Sequence, residues 1–356
     1  MYDSLHTTLF WRELYTFDEW ILALFYVLRI DNFMKTQVYG FYLYDEEALQ
    51  RSSSGGAFTA LSNAVFAQGG TVIACIYDYD REGMRFCVSD DPYTRDQMRG
   101  SKYIQANNNE LYTHLASELN KEDCTPLLIV GTPCQIAGAR AWIRCKHVGT
   151  SRKIIYCDLI CHGVSSPQMW KAYLREKIDK YQEKISFVTF KNKSKGWLRP
   201  TTIAEFESGK RTEIEDYAML YRSRDFMRPS CYHCKFASTR RDTDITIGDF
   251  WGIQEIDSAF ANLHGTSLVL VHTTLGQSLF EKATVEGAVR PSKLEECLQP
   301  GMKESTKPSL RYKDVHKDYE NHGLSYTIEK YIHYGPGTNF VRRCRRKWFR
   351  IKYRED

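Results

Sequence analysis

Short apolar runs alternate with stretches of helical period along most of the chain. Residues 36–44 (Thr-Gln-Val-Tyr-Gly-Phe-Tyr-Leu-Tyr) read as a strand, broken by Asp45-Glu-Glu and then by Ser52-Ser-Ser-Gly-Gly56. The following segment, residues 57–68, sets Phe58, Leu61, Val65 and Phe66 on one side of a helix. Ser54 is its expected N-cap and Gly69-Gly70 its stop. Residues 71–77 and 84–88 are β-rich and flank the turn Asp80-Arg-Glu-Gly83, a hairpin pattern.

Two later units repeat one layout of apolar strand, cysteine-bearing loop and helix. Leu127-Leu-Ile-Val130 runs into Gly131-Thr-Pro-Cys-Gln and a helix ending near Arg144. Residues 153–160 run into Cys161-His-Gly-Val-Ser-Ser-Pro and a helix over about 168–180. Uninterrupted apolar strands of this kind suit a parallel sheet covered on both faces. The expected fold is therefore α/β, with a mixed, largely parallel sheet, flanking helices and an additional β-rich C-terminal part. In such sheets the loops at strand carboxyl ends line the ligand crevice, which puts Cys134 and Cys161 on one rim.

From Ile185 the β runs shorten (186–191 and 202–206) and lead through basic turns to Cys231-Tyr-His-Cys234. Residues 244–252 form a strand ending in a Gly-Asp turn, 267–273 another buried strand and 276–285 a helix. Beyond Pro291 the chain reads as polar and irregular. The resulting division is an extension at 1–35, an α/β part at 36–184, an α+β part at 185–300, and a polar segment with a basic tail at 301–356.

A chain of 356 residues, 42% of them hydrophobic, can bury one large or two moderate cores. Its 11 cysteines, an odd number without a secretory leader, argue for reduced thiols and a cytoplasmic setting. The early apolar run from Trp20 to Leu28 is well short of the roughly 20 residues a membrane span needs, so a buried or interfacial helix is expected there. Charge is concentrated at the C-terminus. Eight Lys or Arg between 342 and 354, against Glu355 and Asp356, leave the body nearly neutral within a net charge of +5. Interleaved Trp348, Phe349, Ile351 and Tyr353 suit an anionic membrane surface or an acidic partner, while a solvated terminal helix is the plainer reading. A basic footprint confined to one terminus, without a recognised module, argues against nucleic acid.

Four cysteines carry the candidate chemistry: Cys134, Cys161, Cys231 and Cys234. Thiolates are soft ligands, and four together favour an iron–sulfur cluster or zinc over harder metals. Zinc could instead be closed by Cys231 and Cys234 with Cys161, His162 or His233, and buried free cysteines that pack as small hydrophobes are the third reading. Ser52–Gly56 at a helix start offers backbone N–H groups, hydroxyls and glycines to an anion. Gly100-Ser101-Lys102-Tyr103 adds a cation for a phosphate or a reduced flavin and an aromatic ring that could stack or simply pack. Asp249 could contact a ribose or a flavin nitrogen, Trp251 could cover a ring, and His162 beside Cys161 could tune a cluster.

Six motifs in order resemble the coenzyme F-420 hydrogenase/dehydrogenase beta-subunit family: Ser52–Phe58, Gly100–Tyr103, Gly131–Gly138, Asp158–Val164, Cys231–Phe236 and Gly248–Gly252. The resemblance covers roughly 36–290. It implies an oxidoreductase or electron-transfer subunit in which FAD exchanges hydride with coenzyme F-420 or another small-molecule donor or acceptor, and passes single electrons to a 4Fe-4S cluster. It also implies a redox partner protein, such as a hydrogenase or dehydrogenase subunit or a ferredoxin. The cluster ligands become Cys134, Cys161, Cys231 and Cys234. Ser52, Ser53, Ser54, Gly55, Gly56, Gly100, Ser101, Lys102, Tyr103, Asp249 and Trp251 surround the flavin, with Lys102 and His162 in catalytic roles. The sequence departs from many relatives in lacking a cysteine-rich ferredoxin-like module at residues 1–35. A zinc-stabilised scaffold and a membrane-surface accessory subunit are the rival readings from other classes.

Overall fold

The computed structural model describes residues 33–146 and 150–332. Of the extension expected at 1–35, residues 1–32 lie outside the described residues and 33–35 open β1, and the basic tail at 341–356 lies outside them as well.

The first part of the chain runs β1 (Phe33–Leu43), α1 (Glu46–Arg51), α2 (Ala57–Phe66), β2 (Thr71–Asp78), β3 (Gly83–Ser89), α3 (Pro92–Met98), β4 (Ala106–Asn107), α4 (Asn109–Leu119), β5 (Leu127–Gly131), α5 (Pro133–Cys145), β6 (Ile154–Leu159) and α6 (Pro167–Tyr173). An excursion follows with β7 (Ile185–Asn192), β8 (Thr201–Phe206), β9 (Arg211–Glu213) and α7 (Glu215–Ser223). The chain then returns through β10 (Ile245–Asp249), α8 (Ile253–Ile256), β11 (Ser267–Thr273), α9 (Thr274–Ala283), β12 (Gly287–Ser292), α10 (Leu294–Cys297) and α11 (Tyr312–Thr327).

Nine strands form one sheet in the order β12-β1-β11-β10-β6-β5-β2-β3-β4, and β7, β8 and β9 form a small antiparallel sheet of their own. The sheet is mixed, as expected, but parallel pairing is less dominant than the apolar runs implied. It holds for β2, β5, β6 and β10 in the centre and for the short β3–β4 contact, whereas β1, β11 and β12 join antiparallel. β2 and β3 are the expected hairpin. A wholly buried strand hides both faces in either orientation, which is why its sequence does not declare direction. The strands β10 and β11, which follow the excursion, pair in the same sheet as β5 and β6, which precede it.

Alternating side chains divide the core between the two sheet faces. On one face Val72, Leu128, Ile155, Ile245 and Val269 pack beneath helices α2 and α9. On the other, Ile73, Ile129 and Tyr156 meet α4, α5 and the aromatic group of Trp170, Tyr173 and Tyr217, while Val38, Leu268 and Leu270 meet Trp197, Phe250 and Met302. Between those two clusters runs a buried polar seam. Thr246 Oγ1 bonds Asp158 Oδ1 at 2.5 Å and His272 Nε2 at 2.9 Å, and Arg241 Nη1 reaches Asp158 Oδ2 at 3.2 Å.

The expectation of irregular chain beyond Pro291 is overturned. α11 buries Val315, Leu324 and Thr327, and bends at Gly323, whose φ of 80° breaks the helical path. Its apolar residues are too sparse for a strong helical period, so the sequence pattern hid it. Local corrections apply at two helices as well. α2 begins after Gly56 in a left-handed conformation rather than after Ser54, and the helix expected over 168–180 stops at Tyr173 and continues as wider and tighter turns to Tyr181.

Candidate functional site

Parallel pairing of β5, β6 and β10 brings their carboxyl ends to one edge of the sheet. Cys134 follows β5 in the first turn of α5, where Thr132 caps the helix together with Gln135. Cys161 follows β6. The third segment arrives from the excursion: Ser165 bridges both Ile104 and Met227, and Arg228 N donates to the Val164 carbonyl at 2.9 Å. This places the Cys231–Cys234 loop beside the Cys161 turn.

The four thiols lie within electrostatic reach of one another. Burial pushes the Cys161 thiol up to about 12, and the charges of Cys134, Cys231 and Cys234 push in the same direction. The Cys231 thiol is also raised, by burial first and then by Cys134 and Cys234. Such a set is unfavourable as bare thiolates and suits a cationic metal core that would offset both burial and mutual repulsion. Two backbone donors already face sulfur: Gly163 N–H points at Cys161 Sγ at 3.4 Å, and Val164 donates to Cys231. Thr132 Oγ1 lies 3.2 Å from Cys134 Sγ. Among the described residues no three His, Cys, Asp or Glu side chains converge tightly enough to hold a single metal ion. Every described cysteine is a free thiol.

The two loops expected near a flavin meet at the same edge. Ser101 Oγ donates to Ser53 Oγ at 3.0 Å. Ser52 and Ser54 are otherwise engaged, donating to the carbonyls of Ala48 and Thr266, both at 2.7 Å. Gly55 packs against strand backbone, since a Cβ there would lie 2.0 Å from the Phe41 carbonyl and 2.5 Å from Ser267 N. Its absent side chain is therefore accounted for by β1 and β11. Lys102 donates to the carbonyls of Met98, Arg99 and Gly100 at 2.8, 2.9 and 3.1 Å, and burial pulls its ammonium down to about 8 against the opposing pull of Cys75.

Tyr103 stacks on Tyr221, ring centroids 4.3 Å apart and planes 15° from parallel. Tyr221 donates to the Gly163 carbonyl at 3.1 Å, so this aromatic pair spans the space between the serine loops and the cysteine turn. Asp249 forms an ion pair with Lys191 from the excursion. Trp251, nearly half exposed at 47%, lies flat on His162 with centroids 4.9 Å apart. Burial lowers the His162 pKa, opposed by a hydrogen bond to Gln299 and by the charge of Asp249.

Residues 124–296 match the C-terminal domain of the beta subunit of coenzyme F420 hydrogenase/dehydrogenase. That segment belongs to this family. It carries all four cysteines, His162, Asp249 and Trp251, whereas both serine loops precede it. A chain of the F420-reducing [NiFe] hydrogenase complex from Methanosarcina barkeri shares the fold at a TM-score of 0.50 and 15% identity, over 84% of this chain and 91% of that one. No curated protein matches the sequence. No helix among the described residues is long and apolar enough to cross a membrane.

Several contributors to this edge of the sheet were missed in the sequence. Tyr221 lay in chain read only as basic turns, and Lys191 closed a short β run without being singled out. Gln299 and Gly301 lay in chain assigned no structure, although Gln299-Pro-Gly301 is a turn signal.

Proposed function

We propose that this beta-subunit relative couples two-electron chemistry at FAD to one-electron transfer through a 4Fe-4S cluster held by Cys134, Cys161, Cys231 and Cys234. The observation that carries the reading is that Cys134 and Cys161 follow neighbouring parallel strands at one edge while the Cys231–Cys234 loop packs against the Cys161 turn, where a Cβ on Gly163 would lie 3.5 Å from Cys231 Cβ. Soft ligands in that number fit iron–sulfur chemistry. FAD, when bound, supplies the ability to take electrons in a pair and release them singly.

The chain's own residues would do the rest. Gly163 and Val164 N–H groups withdraw charge from the ligand sulfurs, a recognised lever on cluster potential. Ser53, Ser101 and Tyr103 would border the flavin, with Lys102 held in reserve on three carbonyls until an anion competes for it. Tyr103 and Tyr221 keep water out of the gap between the two centres, and Trp251 with His162 forms an aromatic wall beside Cys161. Lys191 holds Asp249 in place at the end of β10.

The partners assigned are a ferredoxin or a hydrogenase or dehydrogenase subunit for electrons, and a deazaflavin or another small molecule for hydride. The tail at 341–354 is assigned to an anionic membrane surface or an acidic partner, in a protein that works in the cytoplasm. Salt-dependent sedimentation with acidic liposomes, lost on deleting 341–356, tests the membrane assignment. Anaerobic purification and reconstitution, followed by counts of iron, acid-labile sulfide, zinc and flavin, tests the main reading. Four irons and one FAD per chain are expected. Stoichiometric zinc with no sulfide would instead establish the zinc-stabilised scaffold.

A further inference from the structure

The chain just beyond the family-matched segment lies across the cysteine site. It begins at Gln299, only 2% exposed, whose Nε2 donates to the Asp249 carbonyl at 2.6 Å while its side chain also bonds the His162 ring. A tight turn over Pro300–Met302 follows, anchored by Met302 in the core beside Phe250. A Cβ on Gly301 would sit 2.6 Å from the Cys161 carbonyl and 2.8 Å from His162 Nδ1, so its bare backbone packs directly on both residues. Farther along, Ser305 Oγ donates to the Tyr232 carbonyl at 3.0 Å and Thr306 Oγ1 to the His162 carbonyl at 2.8 Å. One continuous stretch thus grips the Cys161 turn and the Cys231–Cys234 loop together.

We infer that residues 299–306 are a clamp that fixes Cys161 and His162 against the Cys231–Cys234 loop and keeps solvent and small oxidants off that side. Gln299, Gly301 and Thr306 are its positioning residues. Hydrogen bonds from outside a metal site to its inner residues set ring orientation and access. The clamp rests on the cluster reading only for what it shields, because the contacts themselves are made by the bare chain.

The test uses the full-length reduced apoprotein and peptide-resolved alkylation by iodoacetamide under nitrogen. Exposed Cys134 serves as the internal reference, and Cys161 should react far more slowly. Gly301→Val, and separately the double variant Gln299→Leu with Thr306→Val, should each raise the Cys161 rate at least tenfold while Cys134 is unchanged. Thr306→Ser should keep the wild-type rate. In protein reconstituted with iron and sulfide, the same variants should lose visible absorption in air at least fivefold faster from equal starting iron. A Cys161 rate within twofold of wild type in the double variant overturns the clamp. So does a rise shared by Cys157, which is buried in the sheet and would report general loosening. Wild-type protein that takes up no iron, yet whose Cys161 responds to the variants, removes the cluster and keeps the clamp. Iron-loaded protein with an unresponsive Cys161 does the reverse.

Discussion

Replacing Gly163 by alanine should drive the Cys161 turn away from the Cys231 loop, and two features set the cost. The first is torsional. Gly163 has a φ of 107°, beyond even the left-handed well near +57°, and a side chain held there costs about 1–3 kcal/mol. The second is steric. An added Cβ would lie 2.6 Å from Met227 Sδ, roughly 1 Å inside ordinary contact, and 3.5 Å from Cys231 Cβ. Met227 is buried, so its sulfur escapes only into a poorer rotamer, at about 0.5–1.5 kcal/mol. Together these give about 1.5–4.5 kcal/mol, which corresponds to a melting temperature lowered by roughly 2–6 °C, since an unfolding entropy of about 2.1 cal/mol/K per residue makes a long chain's melting point less responsive. Calorimetry of the apoprotein measures the stability, and iron per chain after anaerobic reconstitution measures the site, where less than half of the wild-type content is expected. In a Met227→Ala background the clash disappears and the torsion stays, so Gly163→Ala should cost less there by about the rotamer contribution. A Gly163→Ala protein that melts within 1 °C of wild type and loads full iron would refute both the torsional and the steric argument.

Three further outcomes follow from the buried polar groups and the serine loops. Arg152 bonds Glu118 Oε2 at 2.6 Å and Thr71 Oγ1 at 2.8 Å with both charged side chains almost fully buried, so Arg152→Met should destabilise by about 3–5 kcal/mol in urea unfolding; a change under 1 kcal/mol would contradict it. Burial raises Asp158 from 3.8 to about 6, so its contribution is present below pH 4 and lost as pH rises to 6. His272, lowered by burial from 6.5 to about 4, contributes above pH 6.5 and loses that contribution on acidification, each displacement being worth about 3 kcal/mol. Between pH 4 and 6.5 the two contributions offset each other, so relative to wild type Asp158→Asn should lose stability on acidification and His272→Gln should gain it; denaturant midpoints that move in the same direction relative to wild type in both variants rule this out. The double variant Ser53→Ala with Ser101→Ala should weaken FAD binding about tenfold by fluorescence titration, because it removes the hydroxyls that meet between the loops; unchanged affinity would take these loops out of the site.

What the sequence disclosed depended on how local each signal was. The strand, loop and helix units around Cys134 and Cys161 were legible because their apolar runs, proline starts and helix stops fall within a few residues. So was the placement of both cysteines at strand ends. Strand direction was not, since β11 is buried along its whole length and looks the same parallel or antiparallel. Gly55 read as room for an anion, but its empty side is filled by the Phe41 carbonyl, a neighbour fourteen positions away that no local pattern encodes. Lys102 read as a free cation and instead closes on three carbonyls of its own turn. The clamp escaped notice because hydrogen bonds from Gln299 and Thr306 to residues 50 and 144 positions earlier leave no periodicity behind.

The excursion between β6 and β10 also sets a timetable for biosynthesis. Cys134 and Cys161 emerge from the ribosome before the small sheet of β7, β8 and β9, while Cys231 and Cys234 emerge only after it. The residues that grip both groups come later still, ending at Thr306, whose hydroxyl bonds the His162 carbonyl. At typical elongation rates the interval from Cys134 to Thr306 is roughly 9–35 s. Until Cys231 and Cys234 emerge, Cys134 and Cys161 stand without the loop that packs beside them, and the clamp closes only once nearly the whole chain has been made. Truncation before the clamp should then leave a polypeptide whose sheet is complete and whose thiols remain open to premature oxidation.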